Sequence, residues 1–332
     1  MTFAADLSDI QSAAKRIAPF IHTTPVLRCG HLDSLAGRAL HFKCEVFQRT
    51  GSFKFRGASN AVWSLCDADA ARGVATHSSG NHAQALACAA RLRGIAAHVV
   101  MPSDSSPTKR SAVESYGGRV IECEPNQASR SSTAARVCEE TGATFIAPYD
   151  NRAVIAGQGT IALELLAQVA GLDAIIVPVG GGGMISGITL AARALCPGIK
   201  IIGVEPSSVG DAAQSKLLGV RQAATGALTI ADGLRTSLGD LTWPVVRDLV
   251  DSVVTVSEDE IKSALRLVYE RMKVVIEPSA AVGVAAAIGP LCSRSDFRSA
   301  GVILCGGNID PLTLAELFAG ERIDTPMRMP SR

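Results

Sequence analysis

Short runs rich in β-branched residues alternate along the chain with alanine- and leucine-rich segments whose apolar positions recur at helical spacing. Residues 73–77 read as a strand and 81–93 as a helix, followed by a strand at 97–101 and a helix at 106–116. The rhythm continues with strand 119–123, a helix through 131–141, strand 144–147, helix 158–170, strand 174–179, helix 184–195 and strand 200–204. Strands that alternate with helices predict parallel sheets covered by helices, an α/β architecture. No internal repeat, low-complexity tract, charge block or long linker interrupts the pattern.

Composition narrows the function. The chain has 332 residues, enough for a large core and for two domains or lobes. Hydrophobic residues make up 47%, charged residues 19%, and the formal net charge is +1, so nothing attracts nucleic acid or an anionic membrane. A small, neutral partner is expected. The start, Met-Thr-Phe-Ala-Ala-Asp, lacks a basic segment followed by an apolar one, and Gly and Pro break every apolar stretch short of membrane-spanning length. A cytoplasmic protein is expected. The nine cysteines, at 29, 44, 66, 88, 123, 138, 196, 292 and 305, are odd in number and form no C-x-x-C pair, which argues for reduced thiols.

Gly180, Gly181, Gly182 and Gly183 lie between the strand 174–179 and the helix from 184, so backbone N–H groups and a helix N-terminus converge where a phosphate could sit. A dinucleotide site is the rival reading, helped by Glu205 at the end of the next strand. Its G-x-G-x-x-G spacing needs glycine at 185 or 186, where the chain has Ile185 and Ser186. A glycine turn for close packing stays open. Upstream, Lys54 stands in Thr50-Gly51-Ser52-Phe53-Lys54-Phe55-Arg56-Gly57. A lysine is ordinarily exposed. In an apolar, glycine-flanked segment its amine can be desolvated, which favours the neutral form that attacks a carbonyl. Ser78-Ser79-Gly80-Asn81-His82 joins a strand to an alanine-rich helix, as a carboxylate-binding turn or as plain N-capping.

The segment 42–57 resembles the cofactor-lysine motif of the fold type II (β-family) pyridoxal-phosphate enzymes, in the branch of serine racemase, serine/threonine dehydratase and hydroxyaspartate dehydratase. The resemblance runs from Ile17 to Leu314. It implies a two-lobed, tryptophan synthase β-like fold, with residues 1–66 and 150–324 as the large lobe, 67–149 as a small inserted lobe, and pyridoxal 5'-phosphate in the cleft. It makes Lys54 the Schiff-base lysine and the glycine run the phosphate cradle. The loop Ser78, Ser79, Asn81 and His82 grips the substrate carboxylate, and Asn81 also contacts the cofactor's 3' oxygen. Ser79 faces the substrate Cα opposite Lys54, as the second acid/base of racemases. Cys305, in Leu304-Cys305-Gly306-Gly307-Asn308, faces the pyridine nitrogen, where racemases usually carry serine and liver-type serine dehydratases cysteine. On packing alone it is a small buried hydrophobe.

Glu205, Val209 and Asp211 match the racemases' divalent-metal site, for Mg²⁺ or else Ca²⁺ or Mn²⁺. By composition they could equally be a solvated acidic loop. Ser237 matches a substrate-side serine. Arg49, Thr50 and Tyr116 match positions near the ATP site of mammalian serine racemase, but Gly30-His31-Leu32-Asp33 departs from its serine-rich counterpart. Arg136 matches an arginine that reaches acidic ligands; otherwise it is a helix-surface arginine paired with Glu139 or Glu140.

The function expected first is dehydration of a small L-3-hydroxy amino acid (serine, threonine or 3-hydroxyaspartate) to a 2-oxo acid and ammonia, by a homodimer. A thiol facing the ring cannot protonate it as a carboxylate would, which favours loss of a β-substituent over reprotonation at Cα. Serine or aspartate racemisation with side elimination and sulfhydrylase-like β-replacement are the alternatives. A non-catalytic nucleotide-binding module is the reading from another class.

Overall fold

The computed structural model describes residues 3–319. Among the described residues ten strands build two sheets. They are β1 (Val26–Leu27), β2 (Ala39–Cys44), β3 (Val74–His77), β4 (Ala97–Pro102), β5 (Arg119–Cys123), β6 (Thr144–Phe145), β7 (Ala174–Pro178), β8 (Lys200–Pro206), β9 (Ser252–Val256) and β10 (Ser299–Leu304). The larger sheet has the order β1-β2-β10-β7-β8-β9, and the smaller β5-β4-β3-β6. Every pairing is parallel except that of β1 with β2. The expected α/β architecture with helix-covered parallel sheets is what forms.

Burial explains the strand sequences. All five residues of β7, Ala-Ile-Ile-Val-Pro, are buried, as a central parallel strand covered on both faces requires. In β4 the side chains alternate: Val99 and Met101 join one core and Val100 another, one on each face of the smaller sheet. The largest core surrounds the six-stranded sheet.

Several elements differ from expectation at their edges. The helix expected at 158–170 spans Arg152–Gln168. Its start is set by Asn151, whose side chain accepts from Val154 N at 3.0 Å, a cap. Gly157 and Gly159 read as breakers but serve close approach: a Cβ on Gly157 would lie 2.6 Å from Gly57 Cα, and one on Gly159 would lie 2.9 Å from Gly187 O. Likewise Asn126 caps Ser129 N at 2.8 Å, so the helix through 131–141 begins at Gln127. β6 is two residues long where four are expected. The expected end of the large lobe at 324 lies outside the described residues.

Several candidate site residues lie at the carboxyl ends of the parallel strands, the usual place for a site in open α/β sheets. β7 runs into the glycine run, β10 into Cys305 and β3 into Ser78. The helix Lys54–Ser64 packs against both the helix Asn81–Arg93 and the helix Arg152–Gln168. No helix among the described residues is long and apolar enough to cross a membrane.

Candidate active site

Lys54 is the first residue of its helix, and the turn before it is sewn to the end of β10. Phe53 N donates to Cys305 O at 2.9 Å, Gly307 N to Gly51 O at 3.0 Å, and Ser52 bridges Gly306. Thr50 has φ +59°, a costly conformation for a β-branched residue. Asn308 Nδ2 holds that turn by donating to Thr50 O at 2.7 Å. Lys54 Nζ donates to Pro148 O at 2.7 Å. Burial of the amine lowers its pKa to about 8, against the opposing pull of Cys305 and Glu277. A lysine in this state delivers a neutral amine near physiological pH.

The helix Asn81–Arg93 starts at Gly80 with no side-chain cap, which removes the plain-capping account of Ser78 and Ser79. Ser78 Oγ instead accepts from Gly80 N at 3.3 Å. Asn81 Nδ2 donates to both carboxylate oxygens of Glu277, at 2.9 and 3.0 Å, and Asn81 Oδ1 accepts from Asn308 Nδ2 at 2.8 Å. His82 is buried, with Nε2 3.1 Å from Ile146 O. A carbonyl only accepts, so Nε2 carries the proton and Nδ1 is a bare lone pair, buried without a partner. Burial first, then the nearby Lys54 charge, lowers the His82 pKa to about 3. Glu277 is pushed up to about 7 by burial. The Cys305 thiol is raised well above its ordinary value by burial and then by Glu277, so it faces the site as a neutral thiol.

The glycine run cannot carry side chains. A Cβ on Gly181 would lie 2.3 Å from the Tyr149 ring, one on Gly182 2.7 Å from Leu238, one on Gly183 3.0 Å from Tyr149 Cα, and one on Gly180 3.1 Å from Leu234 Cα. Gly182 also has φ +85°. All four residues are buried, and none of their backbone N–H groups donates to another described residue. Buried, unpaired N–H groups at a helix N-terminus require an acceptor, and a phosphate meets that need. The cradle and the softened lysine therefore fit pyridoxal phosphate.

Glu205 and Asp211 are buried close together. The Glu205 oxygens accept from Ala212 N at 3.1 Å and Ala213 N at 2.8 Å, while Asp211 Oδ2 is buried without a partner. Burial raises the pKa values, to about 8 for Glu205 and about 6 for Asp211. Two desolvated carboxylates, one oxygen orphaned, fit a divalent cation, with Val209 between them in sequence. Among the described residues no cluster of three or more His, Cys, Asp or Glu forms.

Two other expected residues make local contacts. Ser237 Oγ accepts from Ala224 N at 2.7 Å, a loop contact. Arg136 is exposed and pairs with Glu140 at 2.9 Å. Residues to which the sequence assigns no role complete the site: Pro148 and Tyr149, which tie Lys54 to the glycine run, and Glu277 and Asn308, which hold Asn81. The faint signal for Glu277 was an acid and a proline opening an alanine-rich helix.

Comparison with known proteins agrees with this geometry. Residues 17–306 match the family model described as "Pyridoxal-phosphate dependent enzyme". A serine racemase of Arabidopsis thaliana is 51% identical, covering 96% of this chain and 98% of its own. The structure of maize serine racemase superposes with a TM-score of 0.93 at 48% identity, over 95% of this chain and 97% of the other. A T.th. threonine deaminase superposes with a TM-score of 0.87 at 41% identity, over 92% of this chain and 99% of the other. The chain therefore belongs to the family of pyridoxal-phosphate dependent enzymes, in the branch shared by serine racemases and dehydratases.

Proposed function

We propose that the protein racemises serine and, as a second outcome on the same site, eliminates water from it to give a 2-oxo acid and ammonia. This reverses the order expected from sequence, because the full-length likeness to serine racemases outweighs the argument from Cys305 alone. The observation that carries the chemistry is Lys54, held by a single carbonyl with its pKa lowered to about 8. Pyridoxal phosphate, when bound, supplies the aldehyde that captures an amino group and the ring that accepts electrons from Cα.

The chain's own groups do the rest. Lys54 Nζ takes and returns the Cα proton on one face, and Ser79 Oγ does so on the other. Ser78, Ser79, Asn81 and His82 form the loop that receives the substrate carboxylate, with Ser237 on the substrate side. The Cys305 thiol leaves the ring's electron pull moderate, which keeps elimination open. Glu205, Asp211 and the Val209 carbonyl hold a divalent cation that supports the large lobe rather than the chemistry. The small lobe, near 67–149, closes over the cleft of a cytoplasmic homodimer.

Ser79→Ala tests the two-face arrangement. D-serine formation from L-serine should fall on the order of 10²-fold, with pyruvate formation much less affected. Equal losses in both would reduce Ser79 to a carboxylate contact. Saturating Mg²⁺ should raise the stability of metal-free protein by about 2.7 kcal/mol at a hundred times Kd. No change in melting temperature on adding or chelating metal would remove the cation.

A further inference from the structure

Two residues past Lys54, Arg56 is fully buried within a cluster of ionisable groups that the chemistry above does not use. Its guanidinium forks onto two carboxylates. Nε and Nη2 donate to Glu45 at 2.7 and 2.9 Å, and Nη1 and Nη2 donate to Glu164 at 2.7 and 2.8 Å. Nη1 also reaches Thr160 Oγ1 at 3.3 Å. Lys43 joins through Nζ, which donates to Glu164 at 2.7 Å, Thr24 O at 2.8 Å and Gln168 Oε1 at 2.9 Å. Three acceptors around one nitrogen require the ammonium form. Lys43, Glu45 and Arg56 have side chains that are 0% exposed, and Glu164 only 18%. Two cations thus face two anions, and the charges cancel.

Such a cluster is a poor way to gain stability. Taking four charges out of water costs about as much as their attraction returns, and apolar side chains of the same volume would serve as well. What a double fork supplies is direction, because a planar guanidinium bound bidentately on two sides fixes its own position. Glu45 follows β2, and Glu164 lies on the helix Arg152–Gln168. That helix makes further contacts with the Lys54 turn: Gln158 Oε1 accepts from Gly57 N at 3.1 Å, and Gly157 packs on Gly57. The segment leading into the same helix contains Pro148, whose carbonyl holds Lys54 Nζ. One helix thus clamps the backbone of the Lys54 turn at Gly57 and also, through its approach, the Lys54 amine.

We propose that the Arg56, Glu45, Glu164 and Lys43 cluster is a positioning device that sets the place of Lys54 Nζ against Pro148 O and the cleft. This rests on the reading of Lys54 as the working amine. Arg56 and Glu164 touch no reacting atom in this account and act only through Lys54.

The test uses the full-length enzyme with Glu164→Gln, which keeps the shape and removes the charge, and Thr160→Val, a milder change. In the loaded enzyme, kcat for serine should fall on the order of 10- to 100-fold in Glu164→Gln and a few-fold in Thr160→Val, with KM within about twofold. In the cofactor-free chain, acylation of Lys54 by a lysine-selective reagent, followed by mass spectrometry against pH, should show a wild-type midpoint near 8 that moves toward the ordinary 10.5 in both variants. Variants that melt earlier yet keep kcat and the midpoint would leave the cluster as a stabilising feature and overturn the proposal. Turnover surviving in Lys54→Ala overturns the lysine assignment itself and the proposal with it.

Discussion

Two groups of buried ionisable side chains meet at the start of one helix and are satisfied to opposite degrees. Around Arg56 every donor finds an acceptor, and two basic side chains face two acidic ones. Around Lys54 the groups are displaced toward neutrality. Lys54 and His82 are pushed down, Glu277 and Cys305 up, and burial is the leading cause in all four. Charge is kept where geometry is needed and withheld where a group must exchange protons at physiological pH. The residues that separate the two regimes are only two apart, Lys54 and Arg56.

Breaking each group should therefore have opposite consequences. Lys54→Met removes a half-buried, poorly compensated amine. Turnover should fall by at least about 10²–10⁴-fold, the range of a lost acid/base group, while the cofactor-free chain keeps or gains stability. Arg56→Met strands Glu45 and Glu164 and should cost about 3–5 kcal/mol of folding free energy. Chemical denaturation of the cofactor-free variants measures both. A large stability loss in Lys54→Met, or none in Arg56→Met, would dissolve the contrast.

The displaced pKa values predict how cofactor-free stability varies with pH. Glu277 has a folded pKa of about 7, above its ordinary 4.5, so its contribution is complete below 4.5 and lost as pH rises through 7. Lys54 is the reverse case, with a folded pKa of about 8 below its ordinary 10.5. Its contribution is complete above 10.5 and lost as pH falls through 8. Glu277→Gln should flatten the acid side of the melting curve against pH and Lys54→Met the alkaline side, each by at most about 3 kcal/mol. Curves parallel to wild type would show that these groups titrate normally.

The contrast also explains which parts were legible in the sequence. Lys54, the glycine run and the Ser78 to His82 turn announce themselves locally, because a glycine-flanked lysine and four successive glycines carry their chemistry within a few residues. Strand and helix order followed from periodicity, and the errors fell at caps such as Asn151 and Asn126 and at the helical glycines 157 and 159. Glu277 is joined to Asn81 across 196 positions, and Arg56 to Glu164 across 108. Nothing near Lys43, Glu45 or Arg56 marks them as buried, since charged residues are mostly exposed. Only the folded arrangement identifies their partners.

Arg136 offers the smallest effect and the sharpest question about substrate. It lies on the helix Gln127–Thr141 with 57% of its side chain exposed, and pairs with Glu140 one turn away. Such a pair contributes roughly 0.3–0.5 kcal/mol, so Arg136→Ala should barely move the melting temperature. An acidic substrate would offer the guanidinium a bidentate partner that serine lacks, and Glu140 would have to release it. On that proposal 3-hydroxyaspartate is turned over at least as well as L-serine, and Arg136→Ala weakens its kcat/KM by roughly 1.5–3 kcal/mol while serine changes less. Kinetics of both substrates on wild type and variant decide it. If wild type ignores 3-hydroxyaspartate but consumes serine, the Glu140 pairing is the whole role of Arg136, and the selectivity of the cleft lies with the Ser78 to His82 turn.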